Sequence, residues 1–151
     1  MRVLIQKVTN ASVIIEDEVY NEIGEGLVLF VGFSIEDTKD IINRMINKIV
    51  NLRILEDSDG KTNESIMSKN LEILSISQFT LYADTKKGRR PSFSYSAKSG
   101  AANELYDYFN KQLDKEILVK TGIFKADMKI ELINDGPFTI MLDSEEYGWV
   151  K

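Results

Sequence analysis

The sequence contains no cysteine and no histidine. Without cysteine there is no disulfide framework, no thiolate nucleophile and no cysteine metal site. Without histidine the usual general base near neutral pH and the commonest metal ligand are both missing. Ser-His-Asp and Cys-His mechanisms are excluded, and so is a histidine-based zinc site. Any catalysis must use hydroxyls, carboxylates, lysine, backbone dipoles or groups of the substrate itself. No apolar run approaches the roughly 18 residues that a membrane span needs, so no membrane partner is expected. The opening residues 1–7 read as a strand and lack the apolar core and small-residue cleavage site of a signal peptide, which points to the cytoplasm.

What is present fits one globular domain over residues 1–151. The chain is 43% hydrophobic and 28% charged, enough for a core and a solvated surface. Its net charge of −5 argues against a long basic face gripping nucleic acid, and no DNA partner is expected. A local basic patch holding a few phosphates remains open.

The hydrophobic pattern gives the fold class. Residues 3–9 alternate like a half-buried strand, residues 11–16 form another, and residues 19–23 a third. Residues 27–33, LVLFVGF, are a continuous apolar run, which predicts a central strand buried on both faces. Residues 37–52 change period: Ile41, Ile42, Met45, Ile46, Ile49 and Val50 make one helical stripe. Ser34, three residues before Asp37, is a loose capping box. Residues 71–81 return to strand. Ala101, Ala102, Leu105, Tyr106, Phe109 and Leu113 mark a second amphipathic helix. Residues 128–133 and 138–142 read as two strands around a turn, and 145–151 as a charged tail. The sum is α+β: mainly antiparallel sheet with two main amphipathic helices.

Three segments could carry chemistry. Ser77-Gln78-Phe79-Thr80 puts polar groups into an apolar strand, with Ser77 and Phe79 on one face and Gln78 and Thr80 on the other. Taken locally it is a strand with one wet face, or else a strand end offering hydroxyl, amide and N–H groups to a ligand. Thr80 lacks the neighbouring base that an activated hydroxyl needs. Asn134-Asp135-Gly136-Pro137 is locally a hairpin turn, although a cis Gly-Pro bond would present backbone carbonyls at a sharp bend. Lys86, Lys87, Arg89 and Arg90, with Lys98 beyond, are a solvated loop or a phosphate clamp, with Phe93 and Tyr95 near for stacking. No nucleotide-binding glycine loop matches, and Asp57, Asp59 and Glu64 have the wrong spacing for a calcium loop.

These segments converge on a resemblance. SQFTLYAD at 77–84 and NDGPFTIMLDS at 134–144 resemble the two signature segments of the D-aminoacyl-tRNA deacylase family. RVLIQKVTNASV at 2–13, GEGLVLFVG at 24–32, GRRPSF at 88–93, LYDYF at 105–109 and TGIF at 121–124 are similar to further landmarks, in family order. The sequence departs from the pattern at Lys125, where glycine is usual, and at Phe138, where valine is usual.

The resemblance implies an enzyme without metal or cofactor that hydrolyses the ester of D-aminoacyl-tRNA, and of glycine mischarged on tRNA, as proofreading. It implies that Ser77, Gln78, Phe79 and Thr80 line the catalytic pocket, and that Phe124 and Met128 border the adenosine site. It also implies a homodimer with the active site at the subunit interface. There Gly136-Pro137, in cis, would reach into the partner's pocket and reject L-aminoacyl-tRNA. Lys86, Lys87, Arg89 and Arg90 would contact the tRNA. The rival readings are a non-catalytic module that binds the RNA acceptor end, a purely structural dimerising domain and a metal-dependent hydrolase.

Overall fold

The computed structural model describes residues 1–150. Its backbone is organised by the first and last strands. β1 (Arg2–Ile15) is followed by β2 (Glu18–Ile23), β3 (Gly26–Gly32), helix α1 (Lys39–Asn51), β4 (Arg53–Glu56), β5 (Thr62–Ser65), the single turn α2 (Ile66–Lys69) and β6 (Glu72–Ser77). A 3-10 turn (Phe79–Tyr82), helix α3 (Ser99–Leu113), β7 (Val119–Thr121) and β8 (Lys129–Asp143) complete the order.

β8 runs antiparallel along the whole of β1, from Asp143 opposite Arg2 to Lys129 opposite Ile14. On its other side β1 is shared, pairing with β3 over its first half and β2 over its second. β6 then joins β3 in parallel, and β7 joins β6 in parallel. The fold is α+β and mostly antiparallel. Its two parallel pairings arise where the chain crosses through helices between strands. β4 and β5 form a separate hairpin.

The two strands expected at 3–9 and 11–16 are one. Register shifts against β8, on either side of Val8, let the strand continue while its inward face changes. Val3 and Ile5 belong to the core beneath the helices, whereas Val8, Ala11 and Val13 belong to a cluster on the opposite face of the sheet. β3 feeds both: Leu27, Leu29 and Val31 face the first cluster and Val28 the second, as a strand buried on both sides must.

α1 buries the six stripe residues named above. Each fully buried aliphatic side chain contributes about 1.5–3 kcal/mol, so this stripe fixes the helix on the sheet. Its cap is Thr38, whose Oγ1 accepts from Ile41 N at 3.4 Å. Asp37 instead turns back to the Ser34 N–H at 2.6 Å and pairs with the Met1 amino group. α3 buries Ala102, Tyr106, Phe109 and Leu113.

Two local expectations fail. The strand expected over 71–81 ends at Ser77. There the Gln78 N–H makes a last ladder bond to Val31 O at 2.8 Å, and the chain curls into the 3-10 turn. The alternation of faces therefore does not extend past Ser77. Residues 128–133 and 138–142 are not two strands around a hairpin turn either. Both halves pair with the same neighbour in the same direction, and residues 134–137 bulge out between them. The charged tail also has an apolar side: Tyr147, Trp149 and Val150 pack on the core, while Lys151 lies outside the described residues. Among the described residues no helix is long and apolar enough to cross a membrane.

Candidate active site

The end of β6 opens into a cavity of about 680 Å³, bounded by the 3-10 turn, the loop and first turn of α3, and residues 124–130. Ser77, Gln78 and Phe79 form one wall, and Phe124 and Met128 face them. The first wall lies hard against β3. A Cβ on Gly32 would sit 2.9 Å from Gln78 O and 3.2 Å from Leu81 Cβ, so only glycine admits this close approach. At the lip, the Phe79 and Phe93 rings meet edge to face, with centroids 5.0 Å apart. Both rings are exposed, and so offer faces to a planar ligand. Deeper in, the Tyr106 hydroxyl donates to Ser75 O at 2.8 Å, and its ring lies 6.1 Å from Phe124, tying that wall to α3. Burial pushes the Tyr106 phenol pKa up, so it stays a neutral donor.

Thr80 is not part of this cavity. It sits exposed on the 3-10 turn, where its Oγ1 accepts from Gln78 Nε2 at 2.5 Å. An amide donor cannot take a proton from the hydroxyl, so nothing here activates Thr80 as a nucleophile. The N–H groups of Phe79 and Thr80 begin a helical turn, and neither meets an acceptor among the described residues. Behind the turn, Arg2 anchors it. Its Nη1 donates to Leu81 O at 2.9 Å, its Nε to Asp143 Oδ2 at 2.7 Å, and its guanidinium covers the Tyr82 ring at 4.5 Å.

The bulge at 134–137 lies elsewhere. Gly136 and Pro137 are exposed, their peptide bond is cis, and neither lines this chain's cavity. Gly136 has φ +134°, a region closed to side chains. Asn134 closes the bulge with its side chain. Its Oδ1 accepts from Phe138 N at 2.7 Å, and its Nδ2 donates to Thr139 Oγ1 at 2.7 Å. Lys7 braces the tip, with Nζ 3.1 Å from Asp135 Oδ2 and 3.6 Å from Glu56 Oε1. Burial works against its ammonium charge, but hydrogen bonding and attraction from Asp135 outweigh it and hold the Lys7 pKa above its ordinary value.

The family model described as D-Tyr-tRNA(Tyr) deacylase matches residues 4–143, nearly the whole chain. The chain belongs to that family. It is therefore a hydrolase acting on aminoacyl-tRNA, and its family supports D-aminoacyl-tRNA deacylation. A solved structure described as a c-Myc DNA unwinding element binding protein is 41% identical. The match covers 95% of this chain and 99% of that one, with a TM-score of 0.92. A probable eukaryotic D-amino acid tRNA deacylase superposes with a TM-score of 0.82 over 93% of this chain and 97% of that one. At 17% identity it shares the fold.

In this deacylase the basic segment is divided. Lys86, Lys87, Arg89 and Arg90 lie on an exposed tongue closed by paired bonds between Asp84 and Ser92 (2.7 and 2.9 Å), outside the cavity. Lys98, grouped with them in the sequence, lines the cavity instead, together with Lys125 and Asp127. The sequence signalled Lys125 and Asp127 only as departures from the family pattern, and gave no sign of Ala97 or Ile130, which also line the walls. Among the described residues no group of three or more His, Cys, Asp and Glu side chains is placed to hold a metal ion.

Proposed function

We propose that the chain proofreads aminoacyl-tRNA by hydrolysing D-aminoacyl and glycyl esters, and that its chemistry is done by backbone groups and the RNA. The observation that carries this is the cavity beside Ser77-Gln78-Phe79. It has the size of a small-ligand site, walls of aromatic and aliphatic groups, and on its lining Phe79, whose N–H, like that of the next residue on the turn, meets no acceptor among the described residues. The terminal adenosine would lie against Phe124 and Met128. The ester carbonyl would point at the N–H groups of Phe79 and Thr80, which stabilise the oxyanion as it forms. Water, oriented by the free ribose hydroxyl, adds to the carbonyl carbon. The bond from that carbon to the ribose oxygen then breaks, and the ribose oxygen takes up the proton. The products are the free amino acid and uncharged tRNA. An ester of this kind needs positioning more than activation, in keeping with a site that has no histidine.

Selection against L-amino acids would come from a second copy of the chain. Among the described residues β8 is paired on one edge only, and it carries the exposed Ile133 and Met141, apolar side chains suited to a homodimer contact. In such a dimer the carbonyl oxygens of Gly136 and Pro137 from one subunit would occupy the place an L side chain needs in the other's pocket. A D side chain points elsewhere, and glycine has none. The exposed tongue at Lys86, Lys87, Arg89 and Arg90 would hold tRNA phosphates, and the working compartment is the cytoplasm.

The test is incubation with D-Tyr-, L-Tyr- and Gly-charged tRNA, with and without EDTA. Release of D-tyrosine and glycine, with L-tyrosine retained and EDTA without effect, is expected. Binding of charged tRNA without release would make the chain an acceptor-end binding module. Equal cleavage of D- and L-Tyr esters would remove the exclusion by Gly136 and Pro137. A 2′-deoxy terminal adenosine is expected to slow cleavage heavily.

A further inference from the structure

The cavity that Ser77-Gln78-Phe79 closes is apolar along most of its wall, yet two exposed lysines are among the residues that line it. Lys98 enters from the residue immediately before α3, and Lys125 from the loop between β7 and β8. They reach the same cavity from separate parts of the chain. Neither has a carboxylate within ion-pairing distance among the described residues, although six other basic groups do. The first turn of α3 contains no acidic residue to compete for them.

Lys125 is held in an unusual way. Its φ of +64° is left-handed, a conformation that costs a residue with a side chain about 1–2 kcal/mol. The turn that imposes it is closed by a bond from Ala126 N to Ile123 O at 3.1 Å. A glycine would sit there without strain, so a lysine at this point spends stability to place a positive charge on the cavity wall. Asp127, on the same wall, offsets one of the two charges and leaves the cluster with a net charge of one positive unit.

An anion joined to a flat apolar body fits this arrangement: the body between Phe79, Phe93 and Phe124, the anion against the lysines. We propose that Lys98 and Lys125 hold the 5′-phosphate of the terminal nucleotide of an RNA 3′ end whose base occupies the cavity. This rests on the reading of the cavity as an adenosine site given above, and adds to it how the RNA is gripped. The tongue at residues 86–90 then contacts phosphates farther from the end, and the two basic groups have separate tasks. The phosphate contact also fixes the direction in which the ribose, and with it the ester, meets the N–H groups of Phe79 and Thr80.

The experiment is calorimetric titration of the whole protein with adenosine, adenosine 5′-monophosphate and a short single-stranded RNA ending in a 3′ adenosine, at low and high salt. The monophosphate is expected to bind about tenfold more tightly than adenosine at low salt, as two partly exposed charge contacts allow, with the gain shrinking at high salt. Lys98→Gln and Lys125→Gly should each remove several-fold of that gain and leave adenosine binding unchanged, and Lys125→Arg should keep it. Lys125→Gly relieves the left-handed strain and should fold at least as stably as the parent, so a loss of phosphate binding there is not a loss of fold. The RNA end should follow the monophosphate. Equal affinity for adenosine and its monophosphate, or variants that leave the difference intact, would overturn the phosphate contact alone. Absence of adenosine binding would overturn the nucleoside cavity and this inference with it. Binding of the monophosphate but not of the RNA end would assign the site to free nucleotides and overturn the proposal.

Discussion

Gln78 and Thr80 face one another across the 3-10 turn, the amide Nε2 donating to the hydroxyl Oγ1 at 2.5 Å. The hydroxyl is thereby an acceptor, held on the outer side of the turn and away from the cavity. Its position separates two roles that the sequence left together: side chains that shape the turn, and backbone groups that face the ligand.

Thr80→Ala is therefore expected to retain activity within about tenfold of the parent, since only one neutral hydrogen bond is lost. Phe79→Pro should be far worse. Phe79 is the first residue of the turn, where proline is tolerated, but the substitution deletes an N–H assigned to the oxyanion. A loss of about a hundredfold in kcat beyond that of Phe79→Ala is expected. A folded, substrate-binding Thr80→Ala protein with no activity would make Thr80 the nucleophile instead.

Gly32→Ala tests how the wall of the cavity is set. The added methyl would meet backbone, Gln78 O at 2.9 Å, so the turn itself must move. Overpacking of this kind costs about 1–3 kcal/mol. Lower chemical stability with a fall in kcat is expected. Unchanged kcat in a protein with unchanged stability would mean that Ser77-Gln78-Phe79 is not held by β3.

Gly136→Ala places a side chain at φ +134°, with its Cβ 3.0 Å from Phe138 N, the group bonded to Asn134 Oδ1. A residue forced into such a region costs about 1–3 kcal/mol. The bulge should open locally, with faster amide exchange at Phe138 and weaker discrimination between D- and L-Tyr-tRNA. Intact discrimination despite a measured stability loss would uncouple the bulge from selectivity.

Alkaline pH should destabilise the fold. Burial raises the phenol pKa of Tyr82, with the charge of Asp37 adding to it, and burial likewise raises that of Tyr106, both from an ordinary 10.0. In the unfolded chain they ionise near that value, and in the fold only later. The stability tied to their neutral forms is thus complete below about pH 10 and lost as pH rises further. Lys7, raised from 10.5 by Asp135 against its own burial, contributes in the same window and in the same direction. Denaturant midpoints are expected to fall as pH rises above about 10. In a phenolate absorbance titration, two of the six tyrosines should ionise only as the far-ultraviolet circular dichroism is lost. Six tyrosines titrating together in an intact fold would contradict this.

The sequence by itself determined much of this. The six-residue stripe of α1 and the apolar run of β3 were readable because burial imposes a period, and a period is a local property. The absence of histidine and cysteine restricted the chemistry, and the two signature segments pointed to the family. The arrangement of the site was not readable in the same way. Whether residues 134–137 turn back or bulge outward depends on β1, more than a hundred residues away, which pairs with both flanks of the bulge in one direction. That β6 ends at Ser77 depends on Val31 accepting the last ladder bond and on Gly32 leaving room for the turn. Lys98 and Lys125 share a cavity only because α3 and the loop before β8 close over the same strand end. Periodicity reports which face of an element is buried; which elements meet, and what they enclose, is decided by long-range pairing that no local pattern carries.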